Sequence, residues 1–303
     1  MRNRNLIIVA LLLSLHLVRF PAYSEDSQFN TPFISKGNGP EFYIDYSNFQ
    51  GVDHQTYTEL YIQIAYHELQ FIKHNGNFQA GYELYLTVSD ENENLLEEYS
   101  NADVFEVDSY AETQSTTKAR VSLIAYTFDP GKYKVRAVLT DMETQHSSRI
   151  EQVFCSRSFQ SPNLMISDLQ LSQKIVPAEE GQPYVKNQRY IEPNATRIFT
   201  QGLSDIHVYF EIYNLSYSQN KENTTYTAYF TFYDKNGKRT THFQTFENKP
   251  GPSSAHSLKV PVKHFRGGTY TLTIRVRDDD TGETTEASKS FTVFDSRLSL
   301  NNI

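Results

Sequence analysis

Three consecutive carboxylates begin the stretch DDDTGE at Asp278 and form the most suggestive chemical pattern of the sequence. Carboxylate oxygens are the hard ligands that Ca²⁺ prefers. The corresponding stretch of an earlier repeat, DMET from Asp141, has lost one of these acids. A solvated hairpin tip tolerates that loss more easily than a metal site does. We therefore predict no metal-binding residue, with calcium binding at the turn from Asp278 to Asp280 as the alternative.

Other catalytic patterns are incomplete. The stretch HELQF from His67 resembles the zinc-protease motif H-E-x-x-H, but Phe71 replaces the second ligand, and the motif needs a helix where we predict a strand. No G-x-S-x-G motif occurs. The single cysteine, Cys155, excludes an internal disulfide and lacks a predicted helix N-terminus or basic cluster that would activate it. We predict no catalytic residue and no cofactor. A hydrolase whose carboxylates converge only in the fold remains an alternative.

Five tyrosines stand at outward-facing positions of predicted strands, and for these we predict an interaction surface. They are Tyr61, Tyr85, Tyr209, Tyr213 and Tyr229. Tyrosine is a favoured contact residue because its ring is rigid and amphipathic. The alternative is that the rings pack under loops or between two domains. A carbohydrate-binding or adhesion surface is a further alternative, weakened because sugar-binding sandwiches commonly use Trp and this sequence has none.

The elements that must position these residues are written twice in the sequence. LYIQI from Leu60 recurs as VYFEI from Val208, YELYLTVSDENEN recurs as YTAYFTFYDKNGK, and DPGKYKVRAVLTD recurs as GGTYTLTIRVRDD. Each stretch alternates apolar and polar residues with a period of two, which is typical of a half-buried strand. The alternation has the same phase in both copies, and a one-residue slip would expose the whole apolar set. The pattern indicates duplication of one unit.

We therefore predict an all-β protein made of two tandem, related Ig-like β-sandwich domains joined by a short connector. The predicted domains span residues 41–159 and 160–295, and the first strand of the second covers about 164–172, with a bulge or bend at Ser167-Asp168. Residues 25–40 are predicted to be a flexible lead, and residues 296–303 a tail.

The N-terminal 24 residues are predicted to be a cleaved signal peptide. A short basic region precedes an apolar run, and small residues at Ala22 and Ser24 favour cleavage before Glu25. No lipobox cysteine follows, so we expect a periplasmic or secreted protein without a transmembrane anchor after cleavage. Removing three arginines with the leader takes the net charge from -8 to -11. This acidity argues against nucleic acid as a partner.

The connector, residues 163–199, and the strand that follows it carry a family resemblance. The stretches LMISDLQLSQKI, YVKNQRYIEPNATRIF and VYFEIYNL resemble the β-domains that precede the GWxTD region in GWxTD-domain bacterial proteins. Gln188 stands where that pattern has Gly, and Ala195-Thr196 replaces Pro-Ser. The sequence has no Trp, so the GWxTD motif itself is absent. The resemblance implies a β-domain fold and an exported location.

Together these features favour an exported, non-enzymatic protein with an interaction or envelope-structural role. Its partner is expected to be a protein, including envelope components.

Overall fold

The computed structural model describes residues 31–218 and 224–295. The predicted signal peptide and the predicted tail lie outside these residues. Within them the regular structure is almost entirely β, which confirms the predicted fold class. One four-residue helix, α1 (Tyr110–Thr113), and two 3₁₀ turns (Tyr66–Glu68 and Val262–His264) interrupt the strands.

The first domain is a sandwich of two sheets. Its strands are β1 (Phe33–Ile34), β2 (Lys36–Gly37), β3 (Phe42–Gln50), β4 (Thr56–Ala65), β5 (Ile72–His74), β6 (Asn77–Ser89), β7 (Leu95–Val107), β8 (Ala119–Phe128), β9 (Gly131–Asp141) and β10 (Ser147–Ser156). We call the sheet β1-β3-β4-β8 the inner sheet, and the sheet formed by β2, β10, β9, β6, β7 and β5 the outer sheet.

The second domain repeats this arrangement. Its strands are β11 (Met165–Ile166), β12 (Gln170–Pro177), β13 (Val185–Lys186), β14 (Arg189–Pro193), β15 (Ile198–Thr200), β16 (Asp205–Tyr213), β17 (Thr225–Asp234), β18 (Arg239–Asn248), β19 (Ser253–Pro261), β20 (Gly268–Asp278) and β21 (Thr284–Phe294). Its inner sheet contains β11, β12, β13, β14, β16 and β19, and its outer sheet has the order β15-β21-β20-β17-β18.

Seven strands correspond between the two copies. In the first domain β3, β4 and β8 pair in the inner sheet, while β10, β9, β6 and β7 pair in the outer sheet. In the second, β11 and β12 together take the place of β3, and β16, β19, β21, β20, β17 and β18 take the places of the others. The registers also agree, since Tyr82 lies opposite Asp141 and Tyr226 lies opposite Asp278.

The same local contacts recur in both copies. The hydroxyl of Tyr133 donates to the carbonyl of Asp129 at 2.7 Å, and that of Tyr270 donates to the carbonyl of Arg266 at 3.0 Å. A tyrosine at the start of this strand that bonds back to the preceding corner is a hallmark of Ig-like sandwiches. The duplicated phrase that begins at Asp129 therefore builds the same tyrosine corner twice.

The core of each domain lies between its inner and outer sheets. In the first copy Leu84 and Val135 are fully buried, as are Phe230 and Leu272 in the second. These residues have the predicted inward phase. Burial of large apolar side chains contributes about 1.5–3 kcal/mol each.

The start of the first sandwich differs from the prediction. Residues 33–37, which the sequence assigned to a flexible lead, form β1 and β2 instead, and Phe33 is buried in the core. β1 pairs with β3 in one sheet and β2 with β10 in the other, so the segment adds a short edge strand to each sheet. The polar composition of 25–40 concealed these short pairings.

The first strand of the second domain breaks where the sequence predicts a bulge or bend. β11 and β12 both pair with β16, and their registers differ by one residue across Ser167-Asp168. The interruption turns the backbone of Asp168 toward the first domain, where its N–H donates to the carbonyl of Asn48 at 3.0 Å.

Candidate functional site

The five predicted surface tyrosines fall into two groups. Tyr61 is 1% exposed, Tyr209 is fully buried, and Tyr213 is also buried. Tyr85 is 45% exposed, and Tyr229 is half-buried. The predicted interaction surface is therefore corrected for the first three rings. They face outward from their own sandwiches, as the alternation requires. Tyr209 packs against Phe49 and Tyr213 accepts a hydrogen bond from the N–H of Gln50, both in the first domain. Tyr61 lies on the sheet face where Glu59 and Gln63 bind the second domain.

The covering arises because the two inner sheets face each other. A small apolar cluster, containing Phe49, Ile191 and Tyr209, fills the space between the outer faces of these sheets. The Tyr61 hydroxyl donates to Glu59 at 2.6 Å, and the Tyr213 hydroxyl donates to Glu211 at 2.8 Å. Buried tyrosine hydroxyls usually find such partners. Burial and the neighbouring carboxylates raise the pKa of these tyrosines, so the rings stay neutral.

A buried ionic cluster, formed by Asp45, Arg197 and Lys289, connects the domains. The guanidinium of Arg197 binds the Asp45 carboxylate through two N–H groups, and its Nε lies 2.9 Å from Oδ2. The ammonium of Lys289 lies 3.2 Å from the same carboxylate and donates to the carbonyl of Tyr46 at 2.7 Å. All three charged side chains are almost completely buried.

Electrostatics within this cluster are strongly coupled. Burial alone would raise the pKa of Asp45, but Arg197 and Lys289 outweigh it and hold that pKa below its usual value. Burial, followed by the positive charge of Arg197, lowers the pKa of Lys289 to about 8, while Asp45 opposes that shift. The carboxylate is thus the counter-charge that allows two cations to be buried between the domains.

A second polar contact lies at the connector. Asp168 accepts hydrogen bonds from the backbone N–H and side-chain amide of Asn48 at 2.9 and 2.8 Å. Its other oxygen lies 2.7 Å from Nε of Arg157, whose guanidinium stacks over the ring of Phe159. The Asp168 carboxylate, at the start of the second domain, therefore binds both β3 and the last residues of the first domain.

The hairpin of β13 and β14 forms a third contact. Lys186 reaches Glu59 at 2.7 Å and Gln170 at 2.6 Å, and its ammonium lies 3.9 Å from the centre of the Phe49 ring. The hydroxyl of Tyr184 donates to the carbonyl of Val121, on the edge strand β8. The connector therefore binds two strands of the first domain's inner sheet, β4 and β8, in addition to joining the two domains along the chain.

The acidic turn near the C-terminus is occupied by a protein cation. The ammonium of Lys249 lies 2.6 Å from Asp278 and 2.7 Å from Asp280, and it also donates to the carbonyl of Ser216 at 2.9 Å. Asp279 points elsewhere and accepts from Thr227 at 2.9 Å. Lys249, which no sequence pattern indicated, therefore binds two of the three aspartates, and Arg277 pairs with the third at 2.9 Å.

The equivalent aspartates organise their turns in the same way. Asp141 accepts from the N–H groups of Glu143 and Thr144 at 2.9 and 2.8 Å, and Asp278 accepts from those of Asp280 and Thr281 at 2.9 and 3.3 Å. Burial would raise the pKa of Asp278, but Lys249 and these N–H donors hold it below its ordinary value. No cluster of three potential metal ligands occurs among the described residues.

The remaining chemical candidates lie apart from one another. His67 and Glu68 belong to a 3₁₀ turn, and Phe71 packs against the rings of Tyr66 and Phe105. Cys155 is half-buried near the end of β10. The structure brings none of these described side chains together with the acidic turn.

Three cavities of about 280, 520 and 600 Å³ open on the described surface. Asp53, in the smallest, is the one carboxylate among their described lining residues. Facing acids of the kind that a glycosidase uses do not meet in these three cavities.

The two open tyrosines occupy equivalent positions on the outer sheets. Tyr85 on β6 lies opposite Val138, which is also exposed. Tyr229 on β17 stacks over the ring of His242, with the Arg277 guanidinium 6.0 Å from the ring centre. Both open rings lie on outer sheets, whose faces point away from the contact between the domains.

Some of the interface residues carried a signal in the sequence. Lys289 stands in the inward phase of β21, between Ala287 and Phe291, where a lysine is out of place unless it has a buried partner. Asp45 carried no such signal, because the alternation in FYIDYSNF is equally typical of a solvent-facing side chain.

The described residues contain no helix long and apolar enough to cross a membrane. No protein-family model matches the chain, and no curated protein matches it in sequence.

Solved structures similar to parts of the chain have low similarity scores. A β-glucuronidase of Bacteroides uniformis matches with a TM-score of 0.26 and 10% identity, over 78% of this chain and 26% of the enzyme. PorU of Porphyromonas gingivalis, in a dimeric latent form, matches with a TM-score of 0.28 and 12% identity, over 89% of this chain and 21% of PorU. A DUF4785 family protein of Legionella pneumophila matches at 0.23 and 8%, over 84% and 57%. The chain spans about a quarter of the glucuronidase and a fifth of PorU.

Proposed function

We propose that this protein is an exported, non-enzymatic interaction protein in which two Ig-like sandwiches form one rigid unit. The observation that carries the proposal is the buried Asp45–Arg197–Lys289 cluster, which fixes one domain against the other. Its charges and hydrogen bonds are matched in the observed arrangement of the domains, so the cluster favours that single relative orientation. The unit would present its two outer sheets to partners in the periplasm or outside the cell.

The use of the polar groups supports a non-enzymatic role. Asp45, Glu59, Asp168 and Asp278 are buried or half-buried carboxylates, and each binds a cation of the chain itself, whereas the buried Asp141 accepts backbone N–H groups of its turn. Catalytic acids and bases are instead arranged so that a substrate can reach them. These carboxylates stabilise the fold and the contact between the domains.

The resemblance to the β-domains of GWxTD-domain proteins fits the same proposal. Asp168, Lys186 and Arg197 belong to the connector stretches that carry the resemblance, and all three build the contact between the domains. We propose that the chain is related to those domains and shares their exported location.

Site-specific photo-crosslinking in the cells that produce the protein tests the interaction role. A photoreactive residue at Tyr85 or Tyr229 is expected to form an adduct with a discrete envelope protein. The same residue at Tyr61 or Tyr209 should form no intermolecular adduct, because the other domain covers those positions. Absence of adducts at Tyr85, at Tyr229 and at further exposed positions scanned across both outer sheets, with the fold intact, would reject the proposal.

A further inference from the structure

The outer sheet of the first domain ends in an unusually open edge strand. β7 pairs with β6 along one side, and within residues 31–218 and 224–295 no strand pairs with its other side. The strand is 13 residues long, and its register with β6 is continuous from Glu97 to Val107. A row of backbone donors and acceptors is therefore available for another strand.

Natural edge strands are usually protected by short length, proline, bulges or charged side chains, especially lysine. β7 is long, and the charges that it carries are all acidic. β7 contains no proline and no lysine, and its single register shift lies beside Leu96, at the start of the strand. Val104 is 53% exposed, and Leu95 is exposed as well. The edge thus offers backbone hydrogen bonds together with apolar contacts.

The edge is also strongly acidic. Residues 90–112 contain nine acids and no lysine or arginine. Some of these acids pair with cations elsewhere in the domain, such as Asp103 with Arg120 and Glu93 with Lys134 and Arg136. Glu98, exposed on β7 itself, has no ion-pair partner among the described residues.

The second domain shows that the fold does not require this acidity. β18 is the equivalent edge strand, and the hairpin leading into it carries Lys235, Lys238 and Arg239. His242 occupies the position of Glu98, since both lie opposite equivalent threonines of the neighbouring strand. The hairpins β6–β7 and β17–β18 therefore have the same strand pairing, but the first is acidic and the second carries basic residues at its turn.

We propose that β7 binds an extended, basic segment of a partner protein as an additional strand of the outer sheet. Main-chain hydrogen bonds would supply affinity, and alternate lysine or arginine side chains would pair with the acids of β7. A second β7 is disfavoured as the occupant because like charges opposite each other are destabilising. The inference rests on the proposed interaction role and names the class of partner.

The test uses the full exported chain and fluorescent ten-residue peptides with blocked ends. The first alternates Lys with Val or Thr, the second replaces each Lys by Glu, and the third places Pro at alternate positions of the basic peptide to remove backbone donors. We expect only the first to bind, with new hydrogen-exchange protection in residues 97–107. Glu98→Lys should weaken binding by about tenfold or more. His242→Lys, the matched change on β18, should leave it unchanged.

Several outcomes would overturn the inference. Equal binding of the proline peptide would show attraction by charge without strand addition. Protection outside β7, equal loss with His242→Lys, or absence of binding by the basic peptide would also reject it, as would a dimer whose contact maps to β7. If the peptide fails while crosslinks form from Tyr85 or Tyr229, only the role of β7 is rejected. Failure of both experiments rejects the proposed function as well.

Discussion

Two pairs of equivalent tyrosines have opposite environments in this molecule. Tyr61 on β4 and Tyr209 on β16 occupy equivalent positions in the two inner sheets, and both are buried between the domains. Tyr85 on β6 and Tyr229 on β17 also occupy equivalent positions, and both lie on the outer sheets. The comparison shows that the alternation of apolar and polar residues along a strand identifies the face of the sheet on which each residue lies. What covers that face is decided by the packing of whole domains.

The sharpest test of this comparison is a double substitution in each pair. Tyr61→Ser with Tyr209→Ser should lower the free energy of unfolding by on the order of 5 kcal/mol or more, because each removes a buried aromatic ring. Tyr85→Ser with Tyr229→Ser should lower it by roughly 1 kcal/mol, since these rings remain partly solvated. Denaturant unfolding measures both effects, with the single variants included in case the first double variant does not fold. Equal losses from the two pairs would contradict the assignment.

The next effect in size concerns the charge buried beside Tyr61. Asp45→Asn keeps the side-chain shape but leaves Arg197 and Lys289 buried without their counter-charge. We expect a loss of about 3–5 kcal/mol in the free energy of unfolding. Glu286→Gln breaks the exposed pair with Arg275 on an outer sheet and serves as the control. Its effect should be below about 1 kcal/mol. A mild Asp45→Asn variant would show that the cluster does not lock the domains.

The sequence predicted the fold further than it predicted the site. Alternation in the duplicated stretches identified the strands, and the break at Ser167-Asp168 marked the register shift between β11 and β12. Packing of the tyrosines between two domains was only an alternative to the predicted interaction surface, because Asp45 and Tyr61 alternate as solvent-facing residues do. Their burial depends on contacts more than 100 residues away, as with Asp45 and Arg197. A period of two carries no information about such distant partners.

A smaller effect should appear in the pH dependence of stability. The pKa of Lys289 is about 8 in the folded protein, against 10.5 ordinarily. Above pH 8 the native state releases this proton while the unfolded chain still holds it, so the free energy of unfolding rises with pH. Relative to Lys289→Met, the wild-type protein should gain about 1–2 kcal/mol between pH 8 and 9.5. Parallel pH profiles of the two proteins would contradict the depressed pKa.

The smallest expected effect is the absence of a calcium response at the acidic turn. This turn is the part of the outer sheets whose residues most resemble a calcium site. Lys249 already binds both Asp278 and Asp280, so a calcium ion would have to displace a buried ammonium. A ligand that binds only the native state must stabilise it, and millimolar Ca²⁺ should therefore leave the melting temperature unchanged within error. Lys249→Met removes the ammonium and is the informative comparison, because the buried carboxylate of Asp278 then loses the cation it binds and the variant should be less stable. A rise in the wild-type melting temperature with Ca²⁺, lost in Asp278→Ala plus Asp280→Ala, would establish a metal site.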